Sequence, residues 1–137
     1  MVKKSLIHCG VLVFIMVMPV FLFSVNVQAG KVYNSDTAGL KVSYYTEPSP
    51  PKIGSNVLRI ILKDKKGKLI KNAEIEISTV MPLMPDMGNS KAKAVLTKAN
   101  EYAVPFTIGM NGDWKITIKI KMPDKKTIET YYNFTTK

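Results

Sequence analysis

The chain has 137 residues, a length typical of one domain, and carries 20 Lys and Arg against 10 Asp and Glu for a formal net charge of +10. Its only Cys and its only His, Cys9 and His8, lie within the first 30 residues. If export removes that segment, the remaining chain has no means to form a disulfide, a Cys/His zinc site, a Cys or His nucleophile or a Ser-His-Asp triad.

The first 29 residues have the order of parts found in a secretory signal peptide. Lys3 and Lys4 give a positive start, residues 6–25 are almost wholly apolar, and Val27-Gln28-Ala29 is a plausible cleavage site. An uncleaved membrane anchor is the alternative, because about 20 apolar residues can span a bilayer. The cleavage site favours removal. We therefore expect an exported protein of the periplasm or cell envelope, either soluble after cleavage or held by an N-terminal anchor.

A small polar segment, 30–39, is predicted to be a linker, and the domain is predicted to span 40–137. Within the domain, apolar and polar residues alternate with the period of two that indicates half-buried strands. The predicted inward sets are Leu40, Val42 and Tyr44; Leu58, Ile60 and Leu62; Ala73, Ile75, Ile77 and Thr79; Tyr102, Val104, Phe106 and Ile108; Trp114, Ile116, Ile118 and Ile120; and Ile128, Thr130, Tyr132 and Phe134. A weak strand is predicted at 91–96, and Pro105 places its own strand at an edge or makes it short. The pattern predicts an all-β fold, an antiparallel immunoglobulin-like β-sandwich of about seven strands that follows the N-terminal signal or anchor helix.

The basic residues are almost all lysines. Loss of Lys3 and Lys4 reduces the 20 Lys and Arg to 18 against 10 Asp and Glu, which leaves a net charge of about +8. Arg59 is the one arginine, whereas proteins that bind nucleic acids favour arginine for bidentate contacts and stacking. We expect no nucleic-acid partner, and we interpret the lysines as serving solubility or association with an anionic membrane surface.

Three methionines recur at a spacing of three in an otherwise polar loop at 81–90: Met81, Met84 and Met87, with Pro82 and Pro85 between them. A thioether is soft and uncharged, and soft sulfur ligands select Cu(I) among biological metals. The loop therefore predicts a Cu(I) site built from methionine sulfurs. The alternative is that these methionines fill space at the end of the sandwich or form a soft partner-binding surface.

The prolines favour polyproline II, whose three residues per turn place all three methionines on one edge with Cα atoms about 9 Å apart. One ion shared by all three sulfurs requires the loop to curl, and Gly88 and Asn89 permit such a curl.

If each connection reverses the chain, the loops at 48–54, 81–90 and 109–113 share one end of the sandwich, and Met122 lies at the other. Met110 is therefore a fourth candidate ligand, and Trp114 a candidate for a cation–π contact with the metal. The alternative for Trp114 is a core residue, since β-sandwiches often bury one large aromatic side chain.

An enzyme is not expected. The sequence has no nucleophile with a base, no phosphate-binding glycine-rich loop and no carboxylate pair at a suggestive spacing. Glu74 and Glu76 share a strand face and are expected to meet lysines across the sheet.

Several segments together resemble the YtkA-like and FixH-like family of exported or membrane-anchored bacterial domains. They are Asp64-x-x-Gly67, Ala73-x-Ile75, Met81-Pro82-x-Met84-x-x-Met87, Tyr102-x-Val104-x-Phe106 and Gly112-x-Trp114-x-Ile116. The resemblance spans roughly 40–121 and implies an immunoglobulin-like fold and a link to copper handling. Family members often carry histidines near the methionine motif, and the chain after residue 29 has none, which leaves only thioether ligands.

The sequence thus favours an extracytoplasmic Cu(I)-binding accessory or carrier protein in copper supply or copper efflux. The resemblance implies a copper donor or acceptor protein at the membrane as its partner, in an efflux system or in assembly of a heme-copper oxidase. The alternative is a metal-free β-sandwich module for interaction or assembly within a membrane complex.

Overall fold

The computed structural model describes residues 31–137, and the predicted signal or anchor segment lies outside them. The described part contains β1 (Tyr33–Thr37), β2 (Leu40–Glu47), β3 (Gly54–Lys63), β4 (Glu74–Val80), β5 (Ser90–Lys93), β6 (Val95–Leu96), β7 (Tyr102–Ile108), β8 (Gly112–Lys121) and β9 (Thr127–Thr136). No helix in this part of the chain has the length and apolar character needed to cross a bilayer. The predicted all-β class is confirmed.

The strands form two antiparallel sheets, one of order β1-β2-β3-β7-β6 and the other of order β5-β4-β8-β9. The predicted inward sets meet between them, because alternate residues of a strand point to the same face of its sheet. The most deeply buried apolar side chains come from both sheets and include Leu58, Ile60, Val104, Ile108, Ile116, Ile118 and Ile120. The predicted β-sandwich is confirmed, with nine strands among the described residues in place of about seven.

The first strand, β1, lies within the segment predicted to be a linker. It pairs with β2 from Tyr33↔Tyr44 to Thr37↔Leu40. Tyr33 stacks on Tyr44 with ring centroids 5.5 Å apart, and its ring lies 4.7 Å from that of Tyr132. The linker prediction was wrong there because the other two half-buried positions of β1 are Ser35 and Thr37, which hide the apolar alternation.

The weak strand predicted at 91–96 is two short strands that belong to different sheets. β5 pairs with β4, and β6 pairs with β7, so the chain crosses between the sheets at Ala94, whose backbone N donates to the carbonyl of Ile75 at 2.8 Å. Because β6 reaches only Tyr102 and Ala103, the rest of β7 has an open edge. Pro105, which has no N–H to donate, lies on that open stretch, as its chemistry favours.

The loops separate into two groups at opposite ends of the sandwich. Strand partners at one end are Gly54↔Ile108, Val80↔Lys115 and Gly112↔Thr136, and at the other Lys41↔Lys63, Glu74↔Lys121 and Leu96↔Tyr102. We call the first group, 48–53, 81–89 and 109–111, the methionine end. The second group, 64–73, 97–101 and 122–126, is the lysine end. This matches the arrangement predicted from chain reversal, with Met110 at the first end and Met122 at the second.

Candidate metal centre

The methionine loop consists of two consecutive tight turns. The backbone N of Met84 donates to the carbonyl of Met81 at 3.0 Å, and the N of Met87 donates to the carbonyl of Met84 at 2.9 Å. Pro82 and Pro85 each occupy the second position of a turn, where the fixed φ of proline is favourable. The polyproline II expectation was wrong, since that conformation has no internal hydrogen bonds. The repeat Met-Pro-x-Met is a repeat of turns.

The turns bring successive methionines close together. The first and fourth residues of such a turn have Cα atoms less than about 7 Å apart, compared with about 9 Å in an extended polyproline II segment. Met81 and Met84 also form an isolated antiparallel bridge. Met84 is the corner that both turns share, so its sulfur has a methionine neighbour on either side within side-chain reach.

The three loop methionines differ in exposure. Met81 is 4% exposed and belongs to the core, whereas Met84 is 41% and Met87 48% exposed. The end of the Met81 side chain lies against the backbone of Gly112, because a Cβ built on that glycine would be 2.7 Å from Met81 Cε. Met81 therefore closes the core, while the other two thioethers reach solvent.

Trp114 is a core residue, 2% exposed, that also supports the loops of the methionine end. Its Nε1–H donates to the carbonyl of Met110 at 3.2 Å, and the Thr136 hydroxyl donates to the same oxygen at 3.1 Å. Gly88 lies directly on the indole ring, since a Cβ there would be 2.5 Å from Cη2 of Trp114. The backbone positions of Met110 and Gly88 are thus both set by one buried aromatic side chain.

Met87 and Met110 line the same groove, about 620 Å³ in volume, together with Trp114 and Phe106. The groove runs between residues 86–92, where the methionine loop leads into β5, and the open edge of β7. The structure thus places the fourth candidate ligand on the same groove as a loop methionine, and Trp114 also lines it.

Two buried polar residues hold the neighbouring loops in place; Thr79 was predicted to face inward, but neither residue was predicted to have a role at this end. Thr79 Oγ1 lies 3.3 Å from the carbonyl of Gly88, to which it donates, and 2.6 Å from the hydroxyl of Ser90. Asn56 accepts from the backbone N of Lys52 at 2.9 Å and donates to its carbonyl at 2.7 Å. The sequence signal for such a residue is a polar side chain at an inward position of a strand. Buried polar side chains almost always have a hydrogen-bond partner, so such a position predicts a contact with a neighbouring loop.

The donors at this end are soft and uncharged. Within residues 31–137, no three His, Cys, Asp or Glu side chains lie close enough together to hold a metal ion. The loops of the methionine end carry only Lys52 and Asp86 as charged side chains. Hard cations prefer carboxylate and carbonyl oxygens, whereas thioether sulfur suits Cu(I).

A family model described as YtkA-like matches residues 35–119, from within β1 to within β8. This region includes the methionine loop, Met110 and Trp114. Comparison with curated proteins finds no match.

Several solved structures share the fold, among them these three. A DUF4426 family protein from Pseudomonas aeruginosa has a TM-score of 0.55 and 15% identity, covering 75% of this chain and 94% of that one. A copper-bound variant of FetP from uropathogenic Escherichia coli has a TM-score of 0.55 and 13% identity, covering 78% and 94%. The copper-reconstituted P19 protein from Campylobacter jejuni has a TM-score of 0.54 and 11% identity, covering 78% and 93%. At these identities the likeness shows the fold alone.

Proposed function

We propose, since the chain belongs to the YtkA-like family, that it is an exported carrier or accessory protein that binds Cu(I) through methionine thioethers. The observation that carries the proposal is the pair of consecutive turns, which gathers three methionines at the end of the sandwich where Met87 and Met110 line one groove. Two of the similar solved structures hold copper in their own chains, which supports the choice of metal class.

The proposed ligands approach the ion from two sides. Met84 and Met87 are half-exposed and supply sulfurs from the solvent side, and Met110 supplies a third across the groove. Met81 supplies its sulfur from the core side of the same loop. Trp114 is 2% exposed and lies under Gly88, so its contribution is to hold the methionine loop in place.

Exposed thioethers suit transfer. Each sulfur is a weak ligand, so an incoming partner can replace them one at a time without a costly intermediate. We propose that the partner is a copper donor or acceptor protein at the membrane, in copper supply or efflux. The protein acts in this as a binding protein and not as an enzyme.

The test is a Cu(I) titration of the exported protein under reducing, anaerobic conditions against a competing chelator. The fluorescence of Trp114, the only tryptophan of the chain, reports occupancy because its ring lines the groove. We expect saturation at one equivalent, with affinity nearly unchanged from about pH 7 to about pH 4, since thioethers need lose no proton to bind metal.

The variant Met81→Leu, Met84→Leu, Met87→Leu keeps side-chain volume and is expected to abolish this binding. Met122→Leu at the lysine end is the matched control and is expected to bind as the parent does. Parent-like binding by the triple variant would show that the ligands are wrong. Binding no tighter than about millimolar in the parent, roughly 4 kcal/mol, would remove the copper proposal.

One observation favours a second function, a metal-free interaction module. Leu83 is 85% exposed between two methionines, and Ile53 on the neighbouring loop is 54% exposed. Exposed apolar side chains at a loop tip are typical of a protein contact surface. This function predicts that the parent co-purifies with a membrane partner in copper-free medium and that Leu83→Ser abolishes this co-purification. The copper proposal predicts that the parent has no partner in copper-free medium.

A further inference from the structure

Charge is distributed very unevenly between the two ends. The segments of the lysine end hold seven lysines, Lys65, Lys66, Lys68, Lys71, Lys98, Lys125 and Lys126, against three acids, Asp64, Glu101 and Asp124. All seven lysines are exposed. The segments of the methionine end hold one lysine and one acid and therefore carry no net charge.

The three acids of the lysine end are already engaged. Asp64 Oδ1 accepts from the backbone N of Lys66 at 2.8 Å and of Lys68 at 2.9 Å, and Asp124 Oδ1 accepts from the N of Lys126 at 3.0 Å. Glu101 accepts from the Tyr45 hydroxyl at 3.0 Å. Each carboxylate stabilises a turn or a neighbouring strand.

The ammonium groups, by contrast, have no carboxylate partner. The ion pairs within residues 31–137 involve Arg59, Lys119 and Lys121, and none of the seven lysines of the lysine end. Their positive charges therefore face solvent, and no carboxylate of the described residues lies within ion-pair distance of them.

The turns that carry these lysines form one surface. The Lys65 side chain lies across Gly39, because a Cβ built on that glycine would meet Lys65 Cε. The connection that carries Lys71 is pinned by Tyr102, whose hydroxyl donates to the carbonyl of Ile70 at 3.0 Å and accepts from the N of Ala73 at 3.1 Å. Lys125 shares a shallow groove with Asn72 of that connection.

We propose that the lysine end docks on the surface of an anionic lipid bilayer. Lysines near such a surface each contribute an attraction that salt screens, and clusters of several lysines are typical of peripheral membrane contacts. A nucleic-acid partner does not fit, since Arg59 is the only arginine and is ion-paired with Glu47. A protein partner fits less well, because the nearest exposed large hydrophobic side chains, Val95 and Leu96, lie on β6 and not on the turns that carry the lysines.

The proposal goes beyond copper binding, because it assigns an orientation. Strands of ten residues such as β3 and β8 are about 33 Å long. With the lysine end on the lipid head groups, the methionine end is held roughly this far from the bilayer. The candidate ligands then point away from the membrane surface, toward the part of a partner that projects from it.

The test uses the protein as it accumulates in the cell envelope. Its sedimentation with vesicles of phosphatidylcholine containing roughly one third phosphatidylglycerol is compared with sedimentation with phosphatidylcholine alone. We expect binding only to the anionic vesicles, weakening between about 0.01 M and about 0.15 M salt as the Debye length falls from about 30 Å to about 8 Å.

Two variants with equal loss of charge locate the contact. Lys65→Gln, Lys66→Gln, Lys125→Gln, Lys126→Gln changes the lysine end, and Lys91→Gln, Lys93→Gln, Lys115→Gln, Lys119→Gln changes the outer face of the second sheet. At roughly fivefold per lysine held at the surface, we expect the first to weaken vesicle binding about 600-fold if all four lysines touch the lipid and about 25-fold if two do, and the second by less than about threefold.

Three outcomes would overturn the proposal. The first is equal weakening in the two variants, which would mean attraction by net charge alone. The second is no binding by the parent. The third is binding that depends neither on salt nor on the substitutions, which would mean a retained apolar anchor. The copper titration is independent of each of them, so failure here leaves the ligand assignment standing.

Discussion

The two ends of the sandwich are built from the same kind of connection but are stabilised differently. At the methionine end, the loops pack on core side chains: Gly88 lies on the Trp114 ring, and Met81 reaches under Gly112. At the lysine end, the turns are held by side-chain carboxylates that accept from backbone N–H groups, as Asp64 and Asp124 do. One end is an extension of the core, and the other is a solvated surface.

The difference implies that equivalent substitutions have unequal effects at the two ends. A buried side chain removed from the methionine end leaves a cavity or displaces a loop, whereas an exposed side chain removed from the lysine end is replaced by water. The three predictions that follow test this contrast, beginning with the largest expected effect.

Met81→Ala is expected to lower the free energy of unfolding by about 3 kcal/mol, because it removes a core side chain that is 4% exposed. Met122→Ala at the lysine end removes the same atoms from a half-buried position and is expected to cost about 1 kcal/mol. Urea denaturation followed by Trp114 fluorescence measures both. Equal losses would mean that the two ends are packed alike.

Gly88→Ala and Gly67→Ala separate close packing from backbone strain. Both glycines have positive φ, +76° and +83°, but a Cβ at Gly88 would meet the Trp114 ring, whereas a Cβ at Gly67 has nothing within 4 Å. We expect about 1 kcal/mol of destabilisation at Gly67 from the backbone alone, and about 2 kcal/mol more at Gly88 from displacement of the ring. Thermal unfolding of the two variants checks this, and a similar shift in Tm for both would contradict the close approach at Gly88.

Between the two ends lies a cluster of tyrosines that is expected to make stability depend on alkaline pH. Burial, followed by the neighbouring Tyr33, raises the pKa of Tyr44, and burial likewise raises the pKa of Tyr132. The folded state therefore retains these protons more tightly than the unfolded state. The stabilisation is complete below the unfolded pKa of about 10 and is lost as the pH rises above it.

Tyr132→Phe keeps the aromatic ring and is expected to reduce this loss by about 1 kcal/mol, because a group that stays protonated in the folded state costs about 1.4 kcal/mol of stability for each pH unit above its unfolded pKa of about 10. Tyr131→Phe is the control, since that side chain is 49% exposed. Urea denaturation between about pH 8 and about pH 11 measures the effect. A parent-like decline in the Tyr132 variant would place the titrating group elsewhere.

The strands of the sandwich could be predicted from the sequence because their inward positions are apolar and their period is two. The set from Trp114 to Ile120 is the clearest case, and the structure buries all four of its members. The prediction was wrong where inward positions are polar or the run is short, as in β1, with Ser35 and Thr37, and in the division of 91–96 between two sheets. The conformation of these segments depends on long-range pairing with β2, β4 and β7, and the local alternation of apolar and polar residues carries no information about that pairing.

For the candidate site, the spacing of the methionines and the reversal of chain direction were enough to place Met110 at the same end as the loop. The conformation of the loop was not predicted correctly, because proline suits the second position of a turn as well as polyproline II. The burial of Met81 also had no signal in the loop itself, since it depends on the absence of a side chain at Gly112, thirty-one residues further along the chain.

The consecutive turns have a consequence for how such a loop changes in evolution or by engineering. Each turn adds three residues and ends on the residue that begins the next turn. A Pro-x-Met unit can therefore be inserted or deleted while every remaining methionine keeps its position at the start or the end of a turn. Lengths that differ by three preserve the pattern, and lengths that differ by one or two disrupt it. The number of sulfurs at this end is therefore expected to vary in whole units while the sheets that support the loop stay as they are.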